Sequence, residues 1–237
     1  MPPQKPYNPL DRTNLGASVA GALLRQEVVP LVALKTFVGA GVYALYYTGD
    51  FAPYETVAAR NADGKFQQPI YVGKAIPEGG RKGGGAGIVQ PVGPYLYRRL
   101  TAHRNSIKKV FKYSQDQRPP IKNLKPEDFW CRYLVVEDIW IPLGESLMIA
   151  SFSPVWNIVV EGFGNNAPGS GREKGMRPRW DVLHPGRPWA DRCEAREETA
   201  DQIAEEARQH LENHSVIGDE ALLMTQVDGD LDDSGLA

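Results

Sequence analysis

Six side chains in this sequence could together hydrolyse a phosphodiester: Tyr43, Tyr71, Arg99, His103, Glu145 and Asn157. That reaction needs charge offset on the phosphate oxygens, a group that takes a proton from water, and help for the departing oxygen. Arg99 and His103 stand four residues apart in a stretch with helical apolar spacing, so they share a face and can converge on one phosphate. The guanidinium fork of Arg99 suits phosphate oxygens, and His103 can relay a proton or hold a base. Glu145 opens an otherwise apolar run, Leu147, Met148 and Ile149, which would fix its carboxylate beside a core. A single carboxylate can hold one Mg²⁺ that keeps most of its waters, with a DNA phosphate completing the shell.

Each of these groups also has an ordinary structural explanation. An Arg-His pair suits the surface of a basic helix, and an acidic residue in a first helical turn is simply good helix chemistry. Tyr43 and Tyr71, each in a strand flanked by glycine, read equally as core or edge aromatics. Cys131 and Cys193 match no metal spacing and read as reduced, packed thiols.

The elements that must carry these groups can be placed from local patterns. Thr13-Asn14 could cap a helix through Leu15, Val19, Leu23 and Leu24, stopped by Pro30 and preceded by an extended arm over 1–12. Val42-Tyr43-Ala44-Leu45-Tyr46-Tyr47 is rich in strand formers, Pro69-Ile70-Tyr71-Val72-Gly73 predicts a second strand, and 130–141 a third that Pro142-Leu143-Gly144 ends. Residues 48–68 carry turn chemistry and predict a long connection, either a tolerated extension or a dimer or DNA contact. Helices are predicted over 95–110, from Glu145 to Phe152 before Pro154, and over 194–214, the last on the surface. Residues 165–192, rich in Gly, Pro and Arg, predict a wrap or loop with no second core, and 218–237 a disordered tail. The glycine-rich segment 79–87 lacks the Lys-Ser or Lys-Thr of a phosphate-cradling loop, leaving a basic DNA-touching loop or a plain linker.

The net charge of −2 conceals a division along the chain. From residue 194 onward, thirteen Asp or Glu face only Arg196 and Arg208, a net of −11 that leaves residues 1–193 at +9. Within that body, 74–118 holds ten Lys or Arg against Glu78 and Asp116, a concentration suited to a polyanion or, more plainly, to a solvated charged face. No run of about 18 apolar residues and no signal-like start appears, so a soluble, cytoplasmic protein with no membrane partner is expected.

Taken in order, Gly41-Val42-Tyr43, Tyr71-Val72-Gly73-Lys74, Leu96-Tyr97-Arg98-Arg99-Leu100-Thr101-Ala102-His103, and the block from Glu145 through Pro154-Val155-Trp156-Asn157 resemble the motifs of GIY-YIG nucleases. The last block is the most specific, and the resemblance spans about residues 39–157. The separation of the two tyrosine motifs departs from the family: 27 residues lie between Tyr43 and Tyr71, so 48–68 looks like an insertion. The stretch Trp180-Asp181-Val182-Leu183-His184-Pro185-Gly186-Arg187-Pro188-Trp189-Ala190 further resembles the restriction enzymes of that superfamily that cut CCGCGG, the SacII specificity.

The resemblance implies an α/β GIY-YIG nuclease fold: a small, mainly antiparallel three-stranded sheet flanked by helices, with DNA-wrapping insertions. It implies an arm and helix over 1–38, the nuclease domain with its insertions over 39–193, and an acidic helix and tail over 194–237. Glu145 would bind one Mg²⁺ per active site, and Tyr43 would take a proton from water, activated by the metal, His103 or Lys74. Tyr71 and Arg99 would hold the scissile phosphate, and Asn157 would fix neighbouring groups. The expected activity is site-specific cleavage of double-stranded DNA by a homodimer matched to a palindrome, beside a protecting DNA methyltransferase. A homing or repair nuclease, or a non-catalytic DNA-binding protein with this fold, is the alternative. Candidate DNA contacts are Lys74, Arg81, Lys82, Arg104, Arg172, Arg177, Arg179 and Arg187, since Arg and Lys serve both guanine and phosphate.

Overall fold

The computed structural model describes residues 8, 10–77, 93–165 and 175–214. The glycine-rich 79–87 segment, Arg81, Lys82, Arg172 and the acidic 218–237 tail lie outside them.

A four-stranded antiparallel sheet forms the centre, in the order β1-β4-β2-β3. Its strands are β1 (Val29–Pro30), β2 (Gly41–Tyr47), β3 (Tyr71–Ala75) and β4 (Phe129–Val135). Three are those read from the sequence. The fourth corrects the count: β1 adds an edge of only two residues, too short to leave any alternating pattern. The strand predicted over 130–141 also ends early, at Val135. Pro142 belongs instead to the first turn of a helix, where its missing N–H leaves no hydrogen bond unmade.

Every residue of β2 is buried, so this strand has a helical layer on each face. Tyr43, Leu45 and Tyr47 point into one cluster with Leu96, Leu100, Ile107 and Val110 of α3 (Tyr95–Asp116), once α1 (Arg12–Leu24) and α2 (Glu55–Asn61) have preceded it in the chain. Val42, Ala44 and Tyr46 point oppositely, into a cluster with Ala20 and Leu23 of α1 and Met148 and Phe152 of α4 (Ile141–Phe152). Alternation along one central strand therefore builds both halves of the core.

The excursion over 48–68 is folded rather than an open connection. It contains a short 3₁₀ turn at Ala52–Tyr54 and then α2. Its ends are closed by the buried Asn61 amide, which donates to the carbonyls of Tyr47 (3.0 Å) and Gln68 (2.8 Å) and accepts from Gln68 N (2.9 Å). Tyr54 sinks into the core, its hydroxyl bonded to Nε2 of His184 (2.6 Å) and to the indole N–H of Trp156 (2.8 Å). His184 Nδ1 in turn meets Oδ1 of Asn123 (2.7 Å), so this buried polar chain is paired throughout.

The chain closes with α5 (Val155–Ile158), α6 (Arg179–Leu183) and α7 (Ala200–Asn213). Trp180 of α6 joins the α3-side cluster, as do Ile203, Ala207 and Leu211 of α7, which recur every fourth residue. A capping box between Thr199 and Gln202 sets the start of α7. The thiols of Cys131 and Cys193 are free and buried, and burial pushes Cys131 up to about 12.

Candidate active site

The two tyrosine motifs come together because β2 and β3 pair antiparallel, with Tyr43 directly opposite Gly73. A β-carbon at Gly73 would fall 2.4 Å from the Tyr43 hydroxyl and 3.0 Å from the Tyr71 ring. The glycine thus leaves the space through which the Tyr43 ring lies across β3, toward the open edge of the sheet. Tyr71 stands on the same face, its ring centroid 6.2 Å from that of Tyr43.

Helix α3 packs over this face and delivers Arg99 and His103 from adjacent turns. The Tyr43 hydroxyl and Nε2 of His103 lie 2.6 Å apart, both buried. Burial pushes the Tyr43 pKa well above its usual value of 10.0, with Tyr71 and Glu145 adding to the rise and Arg99 opposing it. Burial likewise pushes His103 well below 6.5, assisted by the charges of Arg99 and Arg187. With the phenol protonated and the imidazole neutral, the Nδ1–H tautomer of His103 lets the hydroxyl donate to Nε2. Arg99 also engages the hydroxyls of both tyrosines. Burial works against its charge, but those two hydroxyls hold its pKa up.

A third wall comes from 162–165, after α5; sequence reading assigns 162–164 no element and begins its wrap only at 165. Phe163 stacks on His103 with centroids 4.4 Å apart and planes 20° from parallel. The carbonyl of Gly164 accepts from Nη2 of Arg99 at 2.6 Å, and a β-carbon on Gly164 would meet the Tyr71 hydroxyl at 2.4 Å. The only sequence sign of this wall was Gly162-Phe163-Gly164, two residues free of side-chain bulk around one aromatic ring.

Glu145 stands on α4, which covers the opposite face of the sheet, yet its charge acts on both Tyr43 and Tyr71. β3 is the edge strand, so the site wraps around that edge. The carboxylate of Glu145 accepts from Nζ of Lys74 at 2.5 Å. Asn157 pairs with the same edge as a strand would: its Oδ1 accepts from Val72 N (2.8 Å) and its Nδ2 donates to Val72 O (2.9 Å). It touches the backbone beside Tyr71 and holds that strand in place. Among the described residues no three His, Cys, Asp or Glu cluster as a metal cage. A lone, mostly buried carboxylate at an open edge fits Mg²⁺, which retains waters and takes few protein ligands.

The remaining basic candidates divide differently. Arg187, one of the candidate DNA contacts, is buried and paired with Asp181. Arg177 donates to the carbonyls of Ala190 (3.0 Å) and Asp191 (3.3 Å), while Arg179 donates to Val159 O (2.8 Å) and pairs with Glu198 and Glu206. Those two anchor the chain's own loops. Arg104, half-buried on α3, reaches Val32 O at 3.5 Å.

Residues 35–211 match the family described as the Eco29kI GIY-YIG domain, well over half of the chain. No curated protein matches the sequence significantly. The match includes Tyr43, Tyr71, Arg99, His103, Glu145 and Asn157, and the antiparallel sheet with its flanking helices is consistent with the GIY-YIG fold. The chain belongs to the Eco29kI GIY-YIG family of restriction-type nucleases.

Proposed function

We propose that this nuclease is a Mg²⁺-dependent type II restriction endonuclease making site-specific double-strand cuts in DNA. The observation that carries the chemistry is the buried 2.6 Å hydrogen bond from Tyr43 to His103, set between Arg99 and Tyr71. Magnesium held by Glu145 would offset negative charge growing on the phosphate oxygens.

Burial keeps Tyr43 a phenol at neutral pH, so it can take a proton from water only while losing its own. The acceptor at hand is Nε2 of His103. In this relay a water proton passes to Tyr43 Oη as the phenolic proton crosses to His103. The water oxygen forms the new bond to phosphorus, and the bond to the leaving oxygen breaks with its electron pair departing on that oxygen. Arg99 and Tyr71 hold the scissile phosphate. An anion beside Arg99 offsets the positive charge that disfavours an imidazolium at His103, so the histidine becomes a better base when substrate is bound.

The proposed site is CCGCGG, on the likeness of residues 180–190 to enzymes of the SacII specificity. Such a palindrome fits a twofold homodimer in which each copy cuts one strand. A cytoplasmic location and a companion DNA methyltransferase complete the reading. Among the described residues no helix is long and apolar enough to cross a membrane. The test is to incubate the protein with plasmid DNA in Mg²⁺ and in chelator, then sequence the fragment ends. Discrete Mg²⁺-dependent fragments ending within CCGCGG are expected. Binding without cutting would overturn the catalytic reading, and ends at another sequence would overturn the specificity.

A further inference from the structure

Arg187 is hydrogen-bonded at all three guanidinium nitrogens. Nε donates to Oδ1 of Asp181 at 2.6 Å, and Nη2 donates to Oδ2 of the same carboxylate. Nη1 donates to the carbonyls of Phe163 (3.0 Å) and Asn165 (3.2 Å), and Nη2 also to that of Gly162 (2.9 Å). The indole rings of Trp180 and Trp189 lie 4.5 and 4.7 Å from the guanidinium carbon. The side chains of Arg187 and Asp181 are only 2% and 1% exposed.

Burying an ion pair costs more desolvation than its mutual attraction commonly returns, so stability is a weak explanation for it. Its bonds indicate a different role. They converge on three carbonyls within four residues of irregular chain, where Gly162 has φ 104° and its carbonyl also accepts from Asn165 N at 3.1 Å. The same segment touches the catalytic groups: Phe163 stacks on His103, and Gly164 accepts from Arg99. The buried pair and the site therefore grip the same four residues.

We propose that Arg187, with Asp181 as its counterion, is a positioning residue of the nuclease site, setting the plane of His103 through Phe163 and the reach of Arg99 through the Gly164 carbonyl. The assignment rests on the nuclease reading of those catalytic groups. It gives a structural origin to an arginine whose residue type alone suggested DNA.

The test uses Arg187→Lys, which keeps the charge but loses the fork, and Phe163→Leu, which keeps apolar bulk but loses the stack. Four properties are measured: thermal unfolding, affinity for duplex DNA in chelator, single-turnover cleavage in Mg²⁺, and the imidazole ¹⁵N resonances of His103 in DNA-free protein. Both variants are expected to bind DNA within about threefold of wild type while cleaving roughly a hundredfold more slowly, because displacement by about 1 Å misaligns the reacting groups. The His103 resonances should shift in both. Wild-type cleavage with unshifted resonances in Phe163→Leu would overturn the proposal, as would the same result in a folded Arg187→Lys. Should Arg187→Lys not fold, Phe163→Leu decides alone. If wild-type protein cuts no DNA, the nuclease reading fails separately, and the resonances still report whether this segment sets His103.

Discussion

Tyr43 and His103 stand 60 positions apart in the chain, yet their polar atoms meet at 2.6 Å inside a closed aromatic setting. The ring of His103 has Phe163 against its face and Tyr43 and Tyr71 around it. Because both polar groups are buried away from bulk water, each depends on its neighbours, Tyr43 on Arg99 as well as on His103.

That dependence predicts non-additive kinetics. Tyr43→Phe keeps the ring and removes only the hydroxyl, and is expected to slow single-turnover cleavage by about 10² to 10⁴, the usual worth of positioned proton transfer. His103→Ala should fall in the same range. The double variant is expected to be little worse than the poorer single one, since the pair works as a unit. An active Tyr43→Phe enzyme would remove the proton-transfer role.

Glu145→Ala is expected to abolish cleavage at every Mg²⁺ concentration while leaving DNA binding in chelator intact. Lys74 loses its partner but is 35% exposed, so water can solvate its ammonium. The stability change should therefore stay within about 1 kcal/mol. Cleavage retained in this variant would exclude Glu145 as the metal-binding group.

Gly73→Ala tests the space beneath Tyr43. The new methyl group must displace the phenol, whose oxygen lies 2.4 Å from its ideal position. Overpacking of this kind costs about 1 to 3 kcal/mol. Cleavage should fall far more than that loss of stability explains, read as activity at a temperature where the variant is fully folded. Wild-type activity would show that Tyr43 needs no fixed path across β3.

Acid should destabilise the fold before carboxylates titrate. His103 and His184 are buried and held well below 6.5, chiefly by desolvation, so each stays neutral when folded and gains a proton on unfolding. The unfolded chain thus binds more protons, and stability falls as pH drops through 6.5 while staying level on this account above it. Each histidine contributes up to about 1.4 kcal/mol per pH unit, about 2.7 kcal/mol for the two. Urea unfolding at pH 7.5, 6.5 and 5.5 measures this, and an unchanged midpoint would contradict neutral burial of the two rings.

Much of the molecule is local in origin. The strand formers of β2, the paired Tyr-Val-Gly of β3, the four-residue spacing of Arg99 and His103, and the Glu145 to Asn157 block are each set by neighbouring residues. Alternation and helical period need no distant partner to be read, and these features specified three of the four strands, helices α1, α3, α4 and α7, and six candidate groups. What tertiary structure alone decided is which distant groups meet. β1 exists because β4 offers it an edge, and the 48–68 excursion folds because Asn61 and Tyr54 find buried partners across the core. Arg187 shows the limit best. Its residue type suits a phosphate, a base or a carboxylate equally, and only the packing that places Asp181 and three carbonyls around it, away from water, selects the last.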